Sequence, residues 1–72
     1  MAENSFKKVR SSLGFPMIEL AIKSGVSTAT LVGIEKYEYI PGPVVRAKLA
    51  KALGVSEATL WPDLAKAGVN DD

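Results

Sequence analysis

The chain predicts an all-α fold, a compact array of about five short helices, and three observations carry that prediction. Apolar residues recur at the three- and four-residue spacings of a helix, with no alternating run that would suit a strand. Glycines and prolines punctuate the chain at short intervals, at Gly14, Pro16, Gly25, Pro41, Gly42, Pro43, Gly54 and Pro62. Ser27 and Ser56 stand where a new helix needs a side-chain oxygen for its first unpaired amides, a cap worth about 1 kcal/mol. No internal repeat and no low-complexity segment is evident in this pattern.

The first helix is expected over about Ser5 to Leu13, with Phe6, Val9 and Leu13 on its inner face and Lys7, Lys8 and Arg10 largely outside that stripe. Gly14 ends it and Phe15 turns inward. Pro16 opens a second helix, Pro16 to Ser24, at a position where a missing amide hydrogen is tolerated. Leu20, Ala21 and Ser24 form its inner face. The third helix runs from the Ser27 cap to about Lys36, with Leu31 and Ile34 as its inner pair, and Tyr37 to Gly42 reads as a loop. A fourth, about Pro43 to Leu53, turns Val45, Leu49, Ala52 and Leu53 inward and stops at Gly54. Ser56 caps the fifth, whose Leu60 and Trp61 fold back over the core before Pro62 forces a break or a fresh turn. Leu64 and Ala65 extend the helical cover toward Gly68. Residues 1–68 are thus expected to form one domain and 69–72 a short acidic tail.

Composition narrows the function classes. Seventy-two residues suffice for one modest core, and a second domain has no room. Without cysteine there are no disulfides, thiolate metal sites or cysteine nucleophiles, and without histidine the commonest metal ligand and general base is missing. The eight acidic residues are scattered, and no two are spaced as a general acid and its base. A binding protein is expected rather than an enzyme, with neither cofactor nor metal. No apolar run approaches the ~20 residues that span a bilayer, and the N-terminus lacks the charged-then-apolar order of a secretion signal, so no membrane partner and a cytoplasmic location are expected. The formal charge of +1, with Asp71 and Asp72 among the acids, permits a polyanionic partner without demanding one.

The stretch from Leu20 to Glu35 reads as a short helix, a glycine turn, a serine cap and a second short helix. Gly25 sits where the chain must enter a left-handed conformation, which costs other residues about 1–2 kcal/mol. Val26 would plug the angle between the helices. This is the layout of a helix-turn-helix, the unit that lays its second helix in the major groove of DNA. An ordinary helical hairpin shares the same pattern.

The order Phe6-Lys7-Lys8-Val9-Arg10, Glu19-Leu20-Ala21, Lys23-Ser24-Gly25-Val26-Ser27, Ile34-Glu35, Pro41, and Leu49-Ala50-Lys51-Ala52-Leu53-Gly54-Val55-Ser56 resembles the lambda-repressor-like, Cro/C1-type helix-turn-helix family. The likeness covers roughly residues 5–64 without a gap. It implies a five-helix DNA-binding domain whose third helix reads operator DNA. By that resemblance Thr28, Ala29, Val32 and Gly33 face base edges, and Thr30 lies near phosphates. Lys36, Tyr37 and Tyr39, the start of the second helix, and Arg46 would touch the sugar-phosphate backbone. The resemblance also implies that Arg10 and Glu35 form a structural ion pair between the first and third helices.

The chain departs from the family where bases are read. Members commonly carry glutamine, arginine, serine or asparagine there, because bidentate pairs to guanine or adenine supply about 1–3 kcal/mol of discrimination each. Thr28, Ala29, Val32 and Gly33 offer none, and Pro16-Met17 replaces the polar pair that grips phosphate at the start of the second helix. Met17, Ile18, Ile22 and Val32 could instead form an apolar patch. Two readings are open. One is a small transcriptional regulator binding an operator as a two-fold pair of domains. The other is an antirepressor or modulator whose second and third helices cover another regulatory protein, such as a repressor. Single apolar residues are also ordinary on surfaces, and Ile18 and Ile22 could pack inward on Leu64 and Val69. A weak homodimer would have to use Trp61, Leu64 and the C-terminal turns.

Overall fold

A computed structural model describes residues 4–66. Six helices succeed one another: α1 Ser5–Ser12, α2 Met17–Ser24, α3 Thr28–Tyr37, α4 Pro43–Leu53, α5 Glu57–Leu60 and α6 Pro62–Lys66. No strand occurs among the described residues. The number exceeds the expected five because Pro62 starts a helix of its own. A residue before proline is driven out of the helical region, and Trp61 at φ −130°, ψ 69° is where α5 breaks. Expectations for Gly68, Val69 and the acidic tail lie outside the described residues.

The helix ends obey local chemistry. Asn4 caps α1 by accepting from the Lys7 amide at 3.0 Å, while its Nδ2 donates to the Ile34 carbonyl at 2.7 Å and so ties the start of α1 to α3. Pro16 is extended and caps α2 from outside, so the helix begins one residue later than expected. Gly25 and Gly54 both adopt the left-handed conformation at helix ends, with φ of 76° and 73°.

One buried cluster joins the elements. Phe6, Leu20, Val26, Leu31, Ile34, Leu49, Ala50, Ala52, Leu53, Leu60 and Trp61 are buried together. Phe6 stacks on Trp61 with ring centroids 5.8 Å apart, which fastens α1 to the end of α5. α2 packs on α3 and α4, and α1 packs on α5 and α3. Val9 and Phe15 are half-buried against the cluster. Leu13 is exposed, contrary to its place in the expected inner stripe, because α1 ends at Ser12 and the chain has already begun to turn. Of the expected pairing surface, Trp61 is buried at 8 % exposure, Leu64 is half-buried against the cluster, and the C-terminal turns beyond residue 66 lie outside the described residues. No helix among the described residues is long and apolar enough to cross a membrane.

Candidate nucleic-acid interface

The α2 and α3 helices meet through a tightly bonded turn. The Gly25 amide donates to the Ala21 carbonyl at 2.9 Å. The Ser24 hydroxyl donates to the Leu20 carbonyl at 2.7 Å and accepts from the Val26 amide at 3.2 Å, so one side chain stitches both arms of the turn. Val26 is buried between the helices. Ser27 then caps α3 by accepting from the Thr30 amide at 3.3 Å.

At 100° per residue, Leu31 and Ile34 set the buried side of α3, which leaves Ala29, Gly33 and Lys36 on the opposite stripe with Thr28 and Val32 beside it. Thr28, Ala29 and Lys36 are exposed, whereas Val32 and Gly33 are half-buried. Thr30 is half-buried, and its hydroxyl lies 3.1 Å from that of Ser27 within the cap. At Gly33 an added Cβ would meet only the Tyr39 Cβ, at 3.7 Å, an ordinary contact. The chain folds back there because the Tyr39 amide donates to the Gly33 carbonyl at 3.1 Å. Glu38 makes that return in the left-handed region at φ 56°, where a side chain is strained. Tyr37 is the last residue of α3 rather than the first of the expected loop, and it is exposed, as is Tyr39 on the returning loop. Ile40 and Val44 are exposed too, and helical periodicity cannot single them out because they lie at the Pro-Gly-Pro bracket.

Two arginines hold this loop-bearing helix in place. Arg10 donates through Nη2 to Glu35 Oε1 at 3.0 Å, through Nε to the other carboxylate oxygen, and through Nη1 to the Phe15 carbonyl at 2.6 Å. The side chains are 13 % and 4 % exposed. Hydrogen bonding to Glu35 raises the Arg10 pKa above its ordinary value, with desolvation opposing and the carboxylate charge reinforcing. Since the folded-state value is the higher one, this contribution is complete throughout neutral pH and fades only in strong alkali. Arg46 donates through Nη1 to the Pro41 carbonyl at 2.8 Å and through Nε to Glu57 at 3.3 Å. It is therefore turned toward its own loop and α5, which leaves less of it for a phosphate than its position at the start of α4 suggests.

Beside α3, the outer side of α2 carries Ile18 at 64 % and Ile22 at 78 % exposure, so neither packs inward on Leu64. Met17 is half-buried against the core. The expected patch is therefore divided: two isoleucines stand out, and Met17 and Val32 sit lower. Lys23, next to them, lies with Nζ 5.2 Å from the centroid of the Phe15 ring.

Residues 6–60 match the family model described as helix-turn-helix. Among curated relatives, the chain is 30 % identical over 60 residues to an uncharacterized HTH-type transcriptional regulator, YgzD, of Bacillus subtilis, covering 82 % of this chain and 91 % of that protein. No solved structure gives a significant match.

Proposed function

Because the chain belongs to the helix-turn-helix family, we propose that it is a DNA-binding transcriptional regulator of the Cro/C1 type, with α3 as the helix that enters the major groove of an operator. The single observation that carries this reading is the rigid presentation of α3. A buried Val26, a doubly bonded Ser24 and the Arg10–Glu35 pair hold its outer stripe clear of the core. Thr28 donates or accepts one hydrogen bond at a base edge, Ala29 and Val32 touch thymine methyls, and Gly33 lets the groove wall come close. Lys36, with Tyr37, Tyr39 and the remaining donors of Arg46, faces phosphates; Thr30 stands near them while closing the cap.

Such an interface is rich in backbone contact and poor in base reading. Specificity then rests on methyl contacts and duplex shape, and affinity on charge. A salt titration of binding to a duplex tests it. Affinity should fall steeply with added salt, and Lys36→Ala should lower the slope by about one. Binding indifferent to salt would overturn the reading.

A second reading is favoured by the exposure of Ile18 and Ile22. In it, the α2/α3 face covers another regulatory protein and the chain acts as an antirepressor. Ile18→Asp should then abolish capture of that protein while moving stability by no more than about 0.5 kcal/mol, the usual limit for an exposed site. Under direct operator binding, the same variant keeps its duplex affinity apart from the effect of one added negative charge.

A further inference from the structure

We infer that the outer side of α2 is a seat for the same side of α2 in a second copy of this chain, the two helices lying antiparallel about a two-fold axis. Four residues of α2 are exposed on that side. Ile18 and Ile22 form an apolar ridge at i, i+4, and Glu19 and Lys23, also at i, i+4, run along one flank of it. At 100° per residue both charged positions fall on the same flank, and a two-fold axis perpendicular to the helices brings like flanks together.

The register is set by the spacing. With the axis level with the midpoint between Leu20 and Ala21, Ile18 faces Ile22 of the second copy, and Glu19 faces Lys23 of the second copy. Each pair is offset by one residue, about 1.5 Å along the helix. Symmetry repeats both contacts, so one helix supplies two apolar pairs and two opposite-charge pairs. A sequence with Lys at both flank positions would repel itself in this arrangement. The charge order on this helix suits its own copy, and Lys23 leaves the Phe15 ring of its own chain to reach Glu19 of the second copy.

The footprint is small beside the roughly 800 Å² per partner of a standard interface, so the pairing is weak and reversible. It does not depend on whether α3 reads duplex, and its test needs no nucleic acid. Sedimentation of the intact chain at increasing concentration should show the apparent mass rising from one chain toward two between about 10 µM and 1 mM. Ile22→Asp should hold the mass at one chain with an unchanged circular-dichroism melt, since the side chain is mostly in solvent. Glu19→Lys and Lys23→Glu should each suppress pairing, and the two together should restore it. A mass of one chain across the whole range overturns the inference. So does pairing that survives Ile22→Asp, or a double reversal that fails to restore what each single reversal removed.

Discussion

The turn before α3 and the turn before α5 are the same device used for two purposes. Gly25-Val26-Ser27-Thr28-Ala29-Thr30-Leu31 and Gly54-Val55-Ser56-Glu57-Ala58-Thr59-Leu60 differ at one position in seven. Each glycine is left-handed, each serine accepts from the threonine amide three residues on at 3.3 Å, and each leucine ends fully buried. Even the hydroxyl pairs agree, at 3.1 and 3.0 Å. Apart from Thr28 against Glu57, the two diverge most past the leucine. α3 runs for ten residues and displays an outer stripe, while α5 stops after four and folds Trp61 into the core. The turn sets an angle, and the residues beyond it decide whether the new helix is shown or buried.

Each half also carries an arginine clamp, and substituting both sharpens the contrast most. Arg10 and Arg46 each hold one backbone carbonyl and one glutamate, but Glu35 is 4 % exposed and Glu57 is 44 % exposed. Arg10→Met should cost about 3–5 kcal/mol because it strands a buried carboxylate. Arg46→Met should cost about 1–2 kcal/mol because water reaches its partner. Urea melts of the two variants measure the gap, and equal losses would mean that burial does not separate the clamps.

A smaller effect probes the likeness itself. Nothing lies within 4 Å of a Cβ built at Gly25 or Gly54, so alanine at either meets only the left-handed backbone. Gly25→Ala and Gly54→Ala should each lose about 1–2 kcal/mol, and by similar amounts. Unequal losses would break the equivalence of the two turns.

The least effect on stability comes from the one position where the units disagree. Glu57 puts a negative charge in the first turn of α5 and takes Arg46, whereas Thr28 leaves the start of α3 uncharged. Thr28→Glu should change stability by no more than about 0.5 kcal/mol, in the favourable direction, since an acid suits a helix N-terminus. Duplex affinity should drop, most at low salt, because the added charge meets phosphate. Unchanged affinity would mean that this end of α3 does not approach DNA.

Much of the fold is legible in the sequence because its signals are local. Pro43 and Gly54 bracket α4, and Gly25 with Ser27 marks the turn, since each residue's own backbone preference decides its place. Leu13 departs from its expected inward place because a stripe of apolar residues does not say where its helix stops. The repeated seven-residue unit is hard to see in the chain because it straddles a turn and the start of a helix and joins unlike neighbours. At the candidate interface, residue type suggests which side chains meet DNA but not their commitments. Arg46 is engaged by Pro41 and Glu57, and Thr30 by its own cap. Those engagements are tertiary or depend on rotamers, and no spacing in the chain announces them.

Gly33 leaves this helix open to redesign. Its backbone is ordinary helix, and a first carbon placed there meets Tyr39 at normal distance. An asparagine or arginine at this position would therefore give the outer stripe of α3 a side chain able, under the proposed operator binding, to pair with adenine or guanine while the scaffold stays as it is. The same replacement would relieve the helix of a flexible residue, so a retargeted variant should also be a firmer one.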